Sequence, residues 1–391
     1  MDYIFRSGGD TLLRLAAGFP VLVLTGPRQS GKTTLARRLF AAKPYLSMED
    51  PEQRALAEGD PRRFLDRLAD GAVIDEAQRC PQLFSYLQGL VDERRRCGDF
   101  ILTGSQQFAL LSKISQSLAG RAGLVQLLPL TLAELAAAGK LPGKLDSIIW
   151  QGGYPALYDR QLSPRDWFPN YVATYLERDV RQLLEVRNLS LFQRFLKMCA
   201  ARTAQLLNLS ALAADCGISH VTARQWLTVL EASYVVRLLQ PYQRNFGKRL
   251  VKTPKLYFLD CGLAAWLLGI DSATSIETHA LRGALFETLV VGEFIKHRYN
   301  AGLSAELYFW RDSTGNEVDL VFEVDGHLQA VEIKSGMTFA ADWLDATRRW
   351  RTFAGAAALP PWIIYGGDSS YDYADHRVFS WRTLAQQPAQ R

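Results

Sequence analysis

The sequence predicts an α/β chain built in three parts. Three observations lead there: a short apolar strand that runs into the spacing G-x-x-x-x-G-K-T and then a helix, a helix-turn-helix pattern near the middle, and a charged hairpin with an Asp-Gly turn in the last third. The 391 residues divide at 1–150, 151–255 and 256–391. Hydrophobic residues make up 48% and charged residues 22%, which excludes a disordered, collagen-like or disulfide-scaffold chain. No apolar run approaches the roughly 18 residues that cross a bilayer, so no membrane partner is expected. Met1-Asp2-Tyr3 lacks the basic-then-apolar start of a signal peptide. The five cysteines are scattered without a C-x-x-C pair, so the expected setting is the reducing cytoplasm.

In the first part, Val21-Leu22-Val23-Leu24 reads as a buried strand and Leu35 to Phe40 as a helix. Between them lie Gly26, Gly31, Lys32, Thr33 and Thr34 of the G-x-x-x-x-G-K-T spacing. Glycines let such a loop curl so that its N–H groups face phosphate oxygens, and the helix N-terminus adds partial positive charge. Lys32 then reaches the β- and γ-phosphates of ATP, and the Thr33 hydroxyl meets Mg²⁺. Gly71 to Glu76 reads as a second strand ending in two acids. There Asp75 binds Mg²⁺ and Glu76 polarises the attacking water, the alternative being a helix cap with surface acids. A third strand, Phe100 to Leu102, ends near Ser105 and Gln106, either of which is placed to sense the γ-phosphate or orient water. Arg121, just before the strand Leu124 to Leu128, resembles in position the arginine finger of AAA-type ATPases, which completes a neighbouring subunit's site. The alternative is a surface arginine or a helix C-terminal charge.

In the second part, Gly152-Gly153-Tyr154-Pro155 reads as a turn that ends the first domain, and Trp167 to Leu207 as nearly unbroken helix. Leu209 to Ser233 follows as helix-turn-helix, with Ser210 and Ser219 as caps and Gly217 at the turn. On the second helix Val221, Trp226, Leu227 and Leu230 mark the buried side, leaving His220, Thr222, Arg224 and Gln225 for solvent or a groove. The strand Tyr234 to Leu239 and the basic run with Arg244, Lys248, Arg249 and Lys252 complete a winged-helix pattern. Between Val186 and Lys255 stand eleven basic residues and two acids, a local charge of +9 within a chain whose total is +5. That concentration is the footprint of DNA phosphate contacts. Winged helices also serve as protein contacts, and that reading stays open.

In the third part, Glu317 to Val324 alternates strictly, with Glu317, Asp319 and Glu323 on one side. Asp325-Gly326 predicts a tight hairpin turn, and Leu328 to Lys334 returns with Glu332 and Lys334 on one face. Asp319, Glu332 and Lys334 thus converge in the D-x(n)-E-x-K arrangement of metal-dependent nucleases, where carboxylates hold Mg²⁺ and lysine orients water. Glu287, on the preceding helix, is a further candidate metal ligand. The alternatives are a charged solvent face, or a site that binds without cutting.

Taken together, Gly26 to Thr34, Ile74 to Pro81, Leu102 to Ser105, Gly120-Arg121, Gly152 to Pro155, Tyr175 to Leu183, Pro241 to Gly262 and Val331 to Gly336 resemble a broad bacterial and archaeal family. Its members are P-loop AAA-type ATPases with a winged-helix middle segment, ending in a domain of unknown function with a restriction-endonuclease-like (PD-(D/E)xK-type) α/β core. The resemblance implies ATP and Mg²⁺ as cofactors and a homo-oligomer. The expectation is an ATP-hydrolysing protein acting on branched or end-containing DNA. The competing expectation is a nucleotide-driven oligomeric switch whose later domains make protein contacts and cleave nothing.

Overall fold

The computed structural model describes residues 3–105, 114, 116–176, 189–242 and 251–386. The first part is built on five parallel strands: β1 (Val21–Thr25), β2 (Tyr45–Ser47), β3 (Ala72–Asp75), β4 (Phe100–Gly104) and β5 (Ala122–Gln126). Their order is β2-β3-β4-β1-β5. Every residue of β1, β3 and β4 is buried, because parallel strands are covered on both faces. On one face Val21, Val23, Ile74 and Leu102 pack with Phe64, Leu83, Phe84 and Leu87 of two helices, Pro61–Asp66 and Leu83–Arg94. On the other, Leu22, Leu24 and Ile101 pack with Leu12 of the helix Gly8–Ala16 and Leu35 of the helix Lys32–Leu39. The carboxyl end of β1, flanked by β4 and β5, is where an open parallel sheet forms its ligand crevice.

The long helix expected from Trp167 to Leu207 is interrupted. Pro164–Tyr171 ends in a π-helical turn, Val172–Leu176, and a short strand, β6 (Gln205–Leu206), follows the helix Leu189–Ala200. The two helices expected next are Leu209–Cys216 and His220–Ala232. Asn208, not Ser210, caps the first by accepting from the Ala211 N–H at 3.0 Å. Gly217 turns the chain with φ of 69°, and Ser219 caps the second helix by accepting from the Thr222 N–H at 3.0 Å. The buried stripe is Ala223, Trp226, Leu227 and Leu230, at helical spacing. Val221 lies two positions before Ala223 and therefore on the opposite side. It is 64% exposed, contrary to its expected burial.

The remaining strands are β7 (Val236–Pro241), β8 (Lys255–Phe258), β9 (Tyr308–Arg311), β10 (Glu317–Val324), β11 (His327–Lys334), β12 (Trp362–Tyr365), β13 (Tyr371–Tyr373) and β14 (His376–Ser380). They form one sheet with β6, ordered β13-β14-β12-β11-β10-β9-β7-β8-β6. β7 joins its two halves: it pairs antiparallel with β8 and, through Gln240–Tyr308 and Pro241–Phe309, parallel with β9. The division drawn at 255/256 falls within β8. β10 and β11 form the expected hairpin, with Asp325 and Gly326 at φ of 50° and 79°, the two positive values of a two-residue turn. The strict alternation expected along β10 is broken by a bulge between Val318 and Val321. Both valines consequently pack with Trp310 and Trp350, while Leu320 and Phe322 join the core around the helix Arg282–Asn300. Trp350, Trp362 and Tyr365 are buried and Trp343 is partly buried.

Candidate functional site

Loop chemistry begins at Gly26, whose φ of 147° and close approach to the Leu127 carbonyl leave no room for a Cβ. Gly31, at φ of 94°, turns the chain into the helix that starts at Lys32. Lys32 is buried and donates to the carbonyls of Gly26 (3.0 Å) and Pro27 (2.7 Å), so its ammonium lies folded over the loop. Thr33 and Thr34 follow on the first helical turn and line the same pocket as Lys32, Asp75 and Glu76.

Asp75, the last residue of β3, accepts from the Thr33 hydroxyl at 3.1 Å on both carboxylate oxygens and from the Tyr45 hydroxyl at 2.7 Å. The Thr103 hydroxyl on β4 also donates to it. One hydroxyl and one anchored carboxylate facing a phosphate pocket fit Mg²⁺, whose remaining ligands are phosphate oxygens and water. Glu76 sits at φ of 51°, a conformation that turns its side chain out of the strand. Its Oε2 accepts from Gln78 Nε2 (2.5 Å) and Ser105 Oγ (3.2 Å). Ser105 is thus buried against Glu76, while Gln106 lies outside the described residues.

Residues beyond the loop complete the pocket. Gln29 donates to the Tyr175 hydroxyl at 2.7 Å, and the Arg28 guanidinium lies 5.5 Å from the centre of that ring. Buried Arg6 donates to the Ser30 and Leu128 carbonyls and pairs with Glu134 at 3.2 Å. Pro155 and Arg160 line the pocket too. Pro155, the last residue of the turn Gly152–Pro155, thus reaches the site. Asp260, fully buried, accepts from the Gly153 N–H (2.7 Å) and the Leu263 N–H (2.8 Å). Burial raises its pKa and the Lys296 ammonium works against that rise. Lys296 in turn donates to Leu130 O and Glu293, while Glu293 accepts from the Leu132 N–H at 2.8 Å.

Arg121 makes a two-pronged pair with Asp92 of the same chain, at 2.6 and 2.7 Å, on the surface of the first part. On the helix His220–Ala232, His220, Arg224 and Gln225 are exposed and Thr222 is half-buried against Ser219. Lys252 is exposed, whereas Arg244, Lys248 and Arg249 lie outside the described residues.

The third part gathers its acids around a lysine that composition had placed elsewhere. Lys255, counted above among the basic run, is 3% exposed. Its ammonium lies 3.0 Å from Glu287, 3.6 Å from Asp319, and in an ion pair with Glu317. Tyr257 donates to Glu287, Asp319 Oδ2 accepts from the Ile333 N–H at 2.9 Å, and Lys334 pairs with Glu332 at 2.6 Å. Burial, with the Asp319 carboxylate near both, pushes Glu287 up to about 7 and Glu332 up to about 8. Sequence thus brings Glu287, Asp319, Glu332 and Lys334 into one neighbourhood. The arrangement does not fit a divalent ion: an ammonium stands among the carboxylates, and among the described residues no group of three acidic, histidine or cysteine ligands is arranged to hold a metal.

The sequence assigns no site role to Tyr45, Gln78, Thr103, Arg6, Tyr175 or Lys255, although Gln78, Thr103 and Tyr175 fall in stretches that carry the family resemblance. Each reaches its partner over a long sequence separation, except Gln78, whose position two residues after Glu76 was a usable signal.

Residues 18–136 match an AAA domain, 143–274 a domain of unknown function (DUF8612) and 282–384 a second one (DUF4143). With the parallel sheet and the loop at the end of β1, the first of these defines a P-loop ATPase of the AAA type. Over 339 residues the chain is 35% identical to the uncharacterized proteins Rv2008c of Mycobacterium tuberculosis and Mb2031c of Mycobacterium bovis, covering 85% of this chain and 74% of each of theirs. The chain belongs to the family of these two proteins. Among solved structures it is similar to the Walker-type ATPase PABY2304 of Pyrococcus abyssi, at 15% identity and a TM-score of 0.47, over 68% of this chain and 96% of that one. No helix of the described residues is long and apolar enough to cross a membrane.

Proposed function

We propose that this ATPase is a homo-oligomer that uses ATP to change its hold on DNA of branched or end-bearing shape. ATP draws Lys32 from the Gly26 and Pro27 carbonyls to the β- and γ-phosphates. Thr33 and Asp75 hold Mg²⁺, which neutralises phosphate charge when bound. Glu76, aligned by Gln78 and Ser105, takes a proton from the attacking water. Arg121 leaves Asp92 and reaches the ATP of the adjoining subunit.

The observation that carries the DNA half is the exposed face with His220, Arg224 and Gln225, on a helix followed by Tyr234, whose hydroxyl meets Thr25 at the root of the phosphate loop. Residues 209–258 serve here as a winged helix. The test is binding to labelled branched, linear and single-stranded DNA across a salt series, with and without ATP. The expected result is affinity that falls steeply with salt, shifts with ATP, and drops in Arg224→Ala. No binding at low salt overturns the proposal.

Exposed Val221 favours a second reading, in which that face contacts protein and the chain is a nucleotide-driven switch. In that case DNA binding is absent and the oligomer changes with nucleotide.

A further inference from the structure

The lysine within the acid cluster carries an inference that does not depend on the ATPase or DNA readings. β10 and β11 present Glu317, Asp319, Glu332 and Lys334, the helix Arg282–Asn300 presents Glu287, and β8 adds Lys255 from the other half of the sheet. A Mg²⁺ ion takes oxygen ligands at roughly 2.0–2.1 Å and demands near-octahedral directions. Several of the oxygens it would need are already engaged. Glu287 Oε1 receives both the Lys255 ammonium and the Tyr257 hydroxyl. Asp319 turns Oδ1 to Lys255 and Oδ2 to the Ile333 N–H. Glu317 is shared between Lys255 and Arg311, the latter at 2.6 Å. Within this cluster, Glu332 Oε2 is buried with no hydrogen-bond partner. The four carboxylates face three cations, Lys255, Lys334 and Arg311, and a divalent ion would have to enter beside an ammonium that is itself buried and fixed to a strand.

We propose that the Lys255 ammonium is the resident cation of this cluster, standing where D-x(n)-E-x-K sites hold a divalent ion, so that these carboxylates fasten β8 to β10 and do not take up Mg²⁺ or Mn²⁺. Removing the ammonium, and nothing else, uncovers a divalent site made of Glu287, Asp319 and the unpartnered oxygen of Glu332.

The test is a Mn²⁺ titration of the full nucleotide-free chain, read by the electron paramagnetic resonance signal of free Mn²⁺. Wild type and Asp319→Asn are expected to bind Mn²⁺ alike. Lys255→Met is expected to gain a class of site about tenfold tighter or more, absent from Lys255→Met/Asp319→Asn. Labelled DNA in Mn²⁺ is expected to stay intact with wild type. The proposal is overturned if Asp319→Asn weakens Mn²⁺ binding of the wild-type chain, if wild type cuts DNA in a manner that Asp319→Asn abolishes, or if folded Lys255→Met gains no site. Lys255→Gln, which keeps length and polarity, replaces Lys255→Met if the latter does not fold, and the wild-type comparison with Asp319→Asn needs neither.

Discussion

The hydroxyl of Tyr234 lies 2.7 Å from Thr25 Oγ1. Tyr234 follows directly on the helix His220–Ala232 and its cap, and Thr25 is the last residue of β1 before Gly26 opens the phosphate loop. Gln126 on β5 donates to the same hydroxyl at 3.3 Å. Tyr234 holds a positive φ of 56°, which a non-glycine residue adopts only when its surroundings fix it. The loop root is therefore tied by one hydrogen bond to the residue that follows the cap of the exposed helix. Tyr234→Phe should cost about 1 kcal/mol of stability and leave basal ATP turnover within about twofold. Nucleotide-dependent change in DNA affinity should disappear. Binding isotherms with and without nucleotide check this.

Glu76 and Lys32 separate chemistry from binding. Glu76→Gln keeps the hydrogen-bond geometry around Gln78 and Ser105 but removes the base. ATP binding should persist while turnover falls by about 100-fold or more. Lys32→Ala should abolish turnover altogether. Nucleotide binding and phosphate release, measured on the same preparations, distinguish the two.

Arg121 is engaged by Asp92 within its own chain, so its proposed reach to a neighbour has a mixing signature. Arg121→Ala and Lys32→Ala should each be inactive alone. Mixed in equal amounts they should recover about a quarter of the wild-type turnover per site, because some interfaces pair an intact loop with an intact arginine. No recovery on mixing would remove Arg121 from the site.

His376 gives the third part an acid-sensitive point. It is buried, with Nε2 2.8 Å from Thr347 Oγ1 and Nδ1 2.8 Å from Asp375. Burial lowers its pKa from 6.5 despite the Asp375 carboxylate, and Arg348 and Arg351 add to the lowering. A folded-state pKa below the unfolded one means that the unfolded chain binds the proton more readily. Stability should be intact above pH 6.5 and decline as pH falls through the folded-state value. His376→Asn should flatten that decline in thermal melts collected between neutral and mildly acidic pH.

Val221 discriminates between the two functional readings. Because it is exposed, Val221→Lys should fold normally. If the face meets phosphate, the added charge should strengthen DNA binding and steepen its salt dependence by about one unit of slope. If the face meets protein, the variant should change self-association measured by sedimentation and leave DNA without effect.

Local chemistry is what the sequence made legible. Gly26 to Thr34 and Asp325-Gly326 carry their backbone requirements within a few residues, and both structures follow the expectation. Gly217 and Ser219 did so as well. Val221 departs from its expected burial because apolar character alone does not fix its angle to Ala223. Lys255 adds to a charge count that cannot see burial: its partners lie 32 to 64 positions away on other elements. The bulge in β10 answers to packing on two cores at once, and the turn at Gly152 answers to Asp260, more than a hundred residues later.

The bond between β7 and β9 has a consequence for how this chain can be cut, copied or inherited. A sheet that runs uninterrupted from β13 to β6 has no seam between 274 and 282, where the matched families change. A fragment beginning after β8 would strip Glu287 and Asp319 of their lysine and leave β9 as a raw edge open to aggregation. The last two matched regions are separable as text but form a single architectural unit, and recombination between relatives would be tolerated at the junction with the ATPase sheet more readily than between those two.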